Sequence, residues 1–180
     1  MPNAGKDRFK PEPRTYDALI NWQRRLERET PFYRRLFEQV GVERVLDVAC
    51  GTGRHARMFH SWGLTVEGAD VSPEMLAHCR DQTEKSDTLR WVERSFDQPA
   101  PAGAPFDAAI CVGNSLAIAP DLKAVGEVLR AMTASVRPGG ALVIQVLNLW
   151  RIAEGSITWQ KCGRIQDDDG DRIFLKGIHR

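Results

Sequence analysis

The stretch that decides the fold is Val45-Leu46-Asp47-Val48-Ala49-Cys50-Gly51-Thr52-Gly53-Arg54-His55-Ala56. Its first six residues form a short, nearly continuous apolar run, which is typical of a strand buried in a parallel sheet. Gly51-x-Gly53-x-x-Ala56 follows at once and predicts a tight turn whose backbone approaches a ligand before a helix begins. The stretch therefore predicts a strand, a ligand-binding glycine loop and a helix, in that order.

Strands and helices alternate on the carboxyl side of this loop. Apolar runs predict further strands at residues 64–69, 89–92, 106–112 and 141–147. Ser72-Pro73 and Asp121 are suited to begin the intervening helices, the second of which is broken by Pro138-Gly139-Gly140. This alternation predicts an α/β fold with a Rossmann-like, doubly wound, mostly parallel sheet.

Different patterns flank this core. The stripe of Tyr16, Leu19, Ile20 and Leu26 predicts one helix, and Pro31 is expected to open a second that ends at Gly41. Residues 157–159 and 172–175 predict a β-hairpin around the turn 167–170. The expected organisation is one domain in three parts: an arm with helices (1–42), the core (43–150) and the hairpin (151–180).

Composition narrows the class of protein. The formal net charge is +1, from 25 basic and 24 acidic side chains that are intermixed along the chain, which disfavours nucleic acid as a partner. The longest apolar run, 141–146, is too short to span a membrane, and the start has no export signal, so we expect a cytoplasmic protein. The four cysteines are widely separated, without a histidine at ligand spacing, which predicts reduced thiols and no metal site.

Two carboxylates distinguish the candidate ligands of the glycine loop. In a dinucleotide-binding fold the loop would hold a pyrophosphate, and Asp70 at the end of the next strand would bind a ribose. Asp47, at the end of the first strand, would repel that pyrophosphate but attract an ammonium group. The sequence therefore favours a zwitterionic ligand over NAD, although Asp47 could also simply accept N–H groups of its own loop.

The motifs from 45 to 53 and Gly68-Ala69-Asp70-Val71-Ser72 closely resemble the class I S-adenosylmethionine-dependent methyltransferases. Ile110-Cys111-Val112-Gly113-Asn114-Ser115-Leu116-Ala117, followed by Pro120-Asp121, resembles the glycine N-methyltransferase branch. The resemblance covers roughly residues 40–150. It implies S-adenosylmethionine as cofactor, S-adenosylhomocysteine as product, and an enzyme that methylates a small-molecule acceptor, most simply an amine.

The resemblance also implies site residues, on the loops after the strands and on the N-terminal helix that closes over the cofactor. The implied cofactor-binding positions are Asp47, Ala49, Cys50, Gly51, Gly53, Arg54, Asp70, Val71, Met75, Phe96, Asp97, Cys111, Gly113, Tyr16 and Trp22, with Arg28 a further candidate. Asn114 is the candidate for positioning the substrate, and no catalytic base is assigned, because an amine can lose its proton to solvent.

Several of these residues have a structural alternative. Met75 would fit equally well in a core, Trp22 in a helix packed on the sheet edge, and Asn114 in a turn. Phe96-Asp97 could be an ordinary loop. His55 and His60 are expected on a helix surface, away from the reacting groups.

The resemblance further predicts two strands after the fifth, one of them antiparallel, whereas the tail predicts only a hairpin. We therefore expect the final strands of the fold to be missing and a sheet edge to be exposed, which would favour a homodimer through that edge or through the hairpin. A catalytically silent cofactor-binding domain and an NAD-dependent oxidoreductase remain the alternative functions.

Overall fold

A computed structural model describes residues 12–103, 105–167 and 170–179. These residues form five helices and seven strands, apart from short 3₁₀ turns. In chain order they are α1 Pro13–Ala18, α2 Trp22–Val40, β1 Arg44–Asp47, α3 Arg54–His60, β2 Thr65–Asp70, α4 Pro73–Asp81, β3 Leu89–Glu93, β4 Phe106–Cys111, α5 Leu122–Ser135, β5 Val136–Ile144, β6 Ile157–Asp167 and β7 Gly170–His179.

β1 to β5 form one sheet in the order β3-β2-β1-β4-β5, and every pair of neighbours is parallel. The central strand β1 pairs Val45 with Val66 of β2 on one side and with Ala108 of β4 on the other. The direction of winding reverses between β1 and β4, and such a switch point opens a crevice at the carboxyl ends of the strands. The predicted doubly wound sheet is confirmed, and its crevice lies where the glycine loop begins.

Both faces of the sheet are covered, which explains why its strands read as apolar runs. On one face Tyr33 and Phe37 of α2 pack with Phe59 of α3, with ring centroids 5.0 Å apart for each pair with Phe59. On the other face Val128 and Met132 of α5 pack on β1 and β4. Each fully buried aromatic or aliphatic side chain of this kind contributes about 1.5–3 kcal/mol of transfer free energy.

Pro31 does not open a helix, contrary to the sequence-based expectation. α2 begins at Trp22, where the Asn21 side chain accepts the Arg24 N–H at 3.0 Å, and it continues through Pro31 to Gly41. An internal proline costs about 3 kcal/mol or more in lost hydrogen bonding and steric strain. The buried packing of Tyr33 and Phe37 beyond the proline offsets that cost.

α5 ends earlier in the sequence than predicted. α5 is capped by Asp121 as predicted, since its carboxylate accepts the Ala124 N–H at 2.8 Å, but the helix ends at Ser135. β5 then begins at Val136 and includes the glycines that were expected to separate helix from strand. A register shift opposite Phe106 and Ala108 absorbs the extra residues of β5.

β6 and β7 form a separate antiparallel hairpin, as predicted, that is longer than the sequence indicated. Asp168 and Asp169 of the predicted turn lie outside the described residues.

Among the helices that the structure describes, none combines the length and the apolar character that a membrane crossing requires.

Candidate functional site

The glycine loop connects β1 to α3 at the switch point of the sheet. The Gly53 N–H donates to the Cys50 carbonyl at 2.9 Å, and Gly51 and Gly53 have φ of 53° and 71°, so the loop is a tight turn with two left-handed residues. Gly53 is the N-cap of α3, whose first backbone N–H groups have no partner within the helix. The loop therefore brings its backbone and the N-terminus of α3 to the crevice.

Asp47 lies beneath this loop at the end of β1 and is only 1% exposed. The Ala49 N–H donates to its carboxylate, but Oδ1 is buried and has no hydrogen-bond partner among the described residues. Burial raises the pKa of Asp47 from 3.8 to about 6, against the lowering effect of His55. A buried, partly unsatisfied carboxylate is costly, and it matches the charge of a cationic ligand group.

Trp91 of β3 forms the wall behind the loop and explains two glycines, Gly53 in the loop and Gly68 in β2. A Cβ at Gly53 would lie 2.5 Å from Trp91 Cη2, and one at Gly68 would lie 2.4 Å from Trp91 Cζ3. The Trp91 indole N–H donates to Thr83 Oγ1 at 3.1 Å, which fixes the ring. Packing therefore requires both glycines, and Gly53 is also required by its left-handed φ.

Asp70 ends β2 beside the glycine loop. Its Oδ2 accepts the Gly51 N–H at 2.8 Å, and its Oδ1 accepts the Ser72 N–H at 3.0 Å. These bonds aim the carboxylate at the crevice and leave each oxygen a second lone pair. Asp70 thus organises the loop itself, a role that the sequence reasoning did not assign to it.

Tyr16 of α1 covers the crevice from the N-terminal side. Its Cε1 would lie 3.7 Å from a Cβ at Gly51, and its hydroxyl oxygen 3.6 Å from a Cβ at Gly113, so the ring bridges the ends of β1 and β4. Burial raises the pKa of the Tyr16 phenol above its usual value. The group is therefore a neutral hydrogen-bond donor at physiological pH.

His55 is not on a helix surface, which corrects the sequence-based expectation. It is 4% exposed, and its Nε2 lies 2.6 Å from Glu29 Oε2. Glu29 Oε1 accepts a hydrogen bond from Arg25 Nε at 3.0 Å, so one carboxylate joins the histidine of α3 to the arginine of α2. Burial raises the pKa of Glu29, but His55 and Arg25 outweigh burial and hold it below its usual value.

The ends of β4 and β5 are joined by two amide side chains. Gln145 Oε1 accepts the Gly113 N–H at 2.8 Å, and Asn114 Oδ1 accepts the Leu147 N–H at 2.9 Å. Asn114 has a φ of 71°, a left-handed conformation that asparagine tolerates better than most residues. Asn114 is therefore a turn residue, and its amide nitrogen is still available to a ligand.

A cavity of about 670 Å³ lies between these strand ends and the N-terminal helices. Its described lining is rich in arginine, with Glu29 as the one carboxylate. The lining residues are Tyr16, Leu19, Ile20, Asn21, Arg24, Arg25, Arg28, Glu29, Gly113, Asn114, Gln145 and Leu147. The cavity therefore carries a positive charge and joins the crevice at Tyr16 and Gly113.

Four further predicted residues do not line this cavity. Arg54 is bound by Asp17 of α1, with Nε 3.1 Å from the Asp17 carboxylate, so its guanidinium group is already engaged. The side chains of Cys111 and Phe96 pack in the α5-side core, so only their backbone can face the crevice. Trp22 is held between Tyr16 and His55, at centroid distances of 6.2 and 5.8 Å.

The other predicted positions differ in exposure. Val71 and Asp97 are exposed, Met75 is half-buried on α4, and Cys50 is buried beside Cys79. The hydrogen bond that the neutral Cys50 thiol donates to Cys79 and burial together raise the pKa of Cys50, so this thiol is protonated and unreactive. Within the ranges that the structure covers, no group of three histidine, cysteine or acidic side chains could hold a metal ion.

Sequence reasoning missed four residues of the site: Asp17, Arg25, Glu29 and Gln145. Arg25 and Glu29 lie four residues apart on α2, and this i, i+4 spacing is the sequence signal of a pair that a third group can join. Asp17 and Gln145 contact loop residues 32 to 37 positions away in sequence, and no local pattern marks such contacts.

Residues 45–140 match the family model described as a methyltransferase domain. The chain belongs to this methyltransferase family, and the resemblance to the class I S-adenosylmethionine-dependent enzymes is confirmed. Glycine N-methyltransferase of Rattus norvegicus is 40% identical over an alignment of 126 residues that covers 63% of this chain and 43% of that protein. Glycine/sarcosine N-methyltransferase of Parasynechococcus marenigrum is 34% identical over an alignment of 146 residues that covers 78% of this chain and 50% of that protein.

Solved structures share the fold. The S-adenosylmethionine-bound CalS10, an amino pentose methyltransferase from Micromonospora echinaspora, superposes with a TM-score of 0.72 at 21% identity, covering 97% of this chain and 83% of that chain. DesVI of Streptomyces venezuelae gives 0.73 at 16% identity, with 95% and 84% covered. The chain spans about half the length of the curated relatives that it matches.

Proposed function

We propose that the protein transfers the methyl group of S-adenosylmethionine to an amine of a small-molecule acceptor. The observation that carries this proposal is Asp47, buried beneath the glycine loop with one oxygen unsatisfied. A zwitterionic ligand brings an ammonium group to that oxygen, whereas a dinucleotide would bring a pyrophosphate of like charge. The names of the relatives, glycine and glycine/sarcosine N-methyltransferases, support an amine as the acceptor.

The amino-acid end of the cofactor would be held between β1 and β4. Asp47 would accept from the ammonium group, and Gly51 and Gly53, which have no side chains, would let the methionine moiety approach the backbone of the loop closely. Arg25 Nη1 would lie 3.8 Å from a Cβ at Gly113, which brings a guanidinium group to the same place and suits a carboxylate. The site thus offers the Asp47 carboxylate for the ammonium group of the methionine moiety and the Arg25 guanidinium group for its carboxylate.

The nucleoside end would follow the carboxyl ends of β2 and β3. Asp70 would accept from the ribose hydroxyls with the lone pairs that Gly51 and Ser72 do not use. Met75 and the Phe96-Asp97 segment would then flank the adenine. These assignments match the residues that the resemblance implies.

The acceptor would enter the arginine-lined cavity on the far side of Tyr16. Asn114, whose amide nitrogen is not used by the Leu147 contact, would position it, and the exposed Arg24 and Arg28 would favour an acceptor with an anionic group. The bound cofactor supplies an electrophilic methyl group. The chain's own residues orient that group and the acceptor and exclude water from the space between them.

A nitrogen lone pair of the acceptor would form the new C–N bond to the methyl group that the cofactor would supply, and the electron pair of the C–S bond would remain with sulfur. The lowered pKa of Glu29 makes it a poor base, because His55 and Arg25 stabilise its anion. The amine must therefore arrive unprotonated and release its second proton to solvent after transfer. The rate at subsaturating acceptor should rise with pH toward the pKa of the amine.

We also propose that the protein acts in the cytoplasm, on small molecules rather than nucleic acids, and as a homodimer. β5 is an edge strand with Leu142 and Ile144 partly exposed, and the hairpin exposes Trp159 and Leu175. Such surfaces favour self-association. Gel filtration with light scattering should therefore give twice the 20.2 kDa mass of the chain.

The test is transfer of labelled methyl from S-adenosylmethionine to a panel of amines that includes glycine, sarcosine and an amino sugar. We expect at least one amine to be methylated, and Asp47→Asn to lower kcat/KM by about tenfold or more through loss of the ammonium contact. Asp81→Asn, at the exposed end of α4, is the matched control and should leave the rate unchanged. Cofactor binding without transfer to any amine would indicate the catalytically silent alternative.

A further inference from the structure

α1 is short and has little to hold it in place. It is six residues long and contains no buried residue, and an isolated helix of this length is unstable in water. It nevertheless lies across the glycine loop, where it carries Tyr16 over Gly51 and Gly113. Besides the packing of Tyr16 on Trp22 and of α1 on β6, its position therefore depends on specific polar contacts.

Asp17 makes those contacts. One oxygen accepts from Thr52 Oγ1 at 2.6 Å, and the other accepts from Arg54 through Nε at 3.1 Å and Nη2 at 2.5 Å. His78 Nε2 of α4 lies 3.8 Å from that second oxygen. The Asp17 side chain is only 13% exposed, so these charge-assisted bonds are partly shielded from water.

The partners of Asp17 all belong to the elements that surround the crevice. Thr52 lies within the glycine loop, Arg54 begins α3, and His78 lies on α4. Asp17 is thus the one described residue of α1 whose side chain is hydrogen-bonded to the loop, and its neighbour in sequence is the tyrosine that covers it. When α1 moves away from the crevice, all of these bonds must break.

We propose that Asp17 is a positioning residue that holds α1 closed over the glycine loop and thereby sets how long the cofactor stays bound. The proposal rests on the proposed function, since it concerns the same site. The bonds exist in the closed form and are absent in the open form. Because release requires opening, Asp17 slows dissociation, while a cofactor that arrives at an open site does not encounter these bonds.

The experiment measures S-adenosylhomocysteine binding to the full chain by stopped-flow tryptophan fluorescence. We expect Asp17→Asn to raise the dissociation rate constant by about tenfold, the effect of losing one charge-assisted hydrogen-bond pair, and to change the association rate constant by less than about twofold. Asp81→Asn is the matched control for removal of a carboxylate. It should leave both rate constants unchanged.

A second variant separates the specific contact from a general loss of structure. Thr52→Val keeps the shape of the buried side chain but removes its hydroxyl donor, so it should also raise the dissociation rate constant, and the double variant should show less than the product of the two single effects. Trypsin cleavage after Arg14 should be suppressed by S-adenosylhomocysteine in the wild type and much less in Asp17→Asn. A merely structural role would lower the melting temperature without this change in protection.

The outcomes are distinguishable. If the wild-type chain does not bind S-adenosylhomocysteine, the proposed function fails. If it binds and Asp17→Asn dissociates within about twofold of the wild-type rate, the proposed function stands and the positioning role of Asp17 is wrong. An equal increase in Asp81→Asn would also overturn the proposal, because the effect would then come from net charge.

Discussion

Replacement of Asp47 by asparagine should stabilise the free protein while weakening its ligand binding. Asp47 is fully enclosed, and burial raises its pKa from 3.8 to about 6 in spite of the favourable charge of His55. At pH 7.5 the folded protein therefore contains a charged group that would be more stable in water. Asparagine has nearly the same shape and no charge.

The size and sign of the effect follow from proton linkage. A rise from 3.8 to about 6 corresponds to about 3 kcal/mol, at 1.36 kcal/mol per unit of pKa. Between these two values the folded state binds more protons than the unfolded state, so the stability of the wild type falls as pH rises through this window. The free-energy difference between Asp47→Asn and wild type should grow by up to about 3 kcal/mol from pH 4 to pH 7.5.

Thermal or urea unfolding at a series of pH values measures this difference directly. The comparison between pH values removes any constant cost of burying the asparagine amide. The same carboxylate should bind the cofactor ammonium only when it is ionised, so affinity of the wild type for S-adenosylhomocysteine should be about tenfold weaker at pH 5 than at pH 8. A stability difference that does not depend on pH would refute the assignment of Asp47 as a buried carboxylate with a raised pKa.

The remaining predictions concern the loop, the base of the sheet and the link between helices. Gly53→Ala should destabilise the protein by about 2 kcal/mol or more, because Gly53 has a left-handed φ and a Cβ there would clash with Trp91. Gly63→Ala is the control: its φ of 86° is also left-handed, but a Cβ there meets no atom within 4 Å, so it should cost only about 1 kcal/mol. Urea unfolding measures both free energies. Burial raises the pKa of Asp107, but the 2.6 Å hydrogen bond from Arg137 and two backbone N–H groups outweigh burial and lower that pKa overall. Asp107→Asn should therefore lower the free energy of unfolding by about 1–3 kcal/mol at pH 7. This cost should disappear as the pH falls below 3.8, and melting curves at several pH values would show it. Glu29→Gln should weaken S-adenosylhomocysteine binding several-fold, since the arginine it orients is released; unchanged affinity in a calorimetric titration would exclude that role.

The sheet could be predicted from the sequence because its central strands β1, β2 and β4 are buried on both faces. Burial imposes continuous apolar runs, and the turns at Gly51, Asp70 and Gly113 end those runs with residues of recognisable geometry. The residue types at the crevice follow from the same logic, since they stand directly after strands whose carboxyl ends must converge.

The N-terminal helices and the cavity could not be predicted in the same way. Pro31 is a strong local signal for a helix start, but the packing of Tyr33 and Phe37 on Phe59 overrides it. His55 looks like a surface residue until Glu29, 26 residues earlier, is brought against it. Contacts of this kind depend on how α2 lies across the sheet, and periodicity does not encode that placement.

The central claim is that the crevice at the switch point binds a zwitterionic nucleoside and not a dinucleotide. Titration of the purified chain by calorimetry, with S-adenosylhomocysteine and in parallel with NAD, tests it most directly. We predict one S-adenosylhomocysteine per chain, no binding of NAD, and loss of binding in Asp70→Ala. Binding of NAD, or of neither compound, would contradict the account.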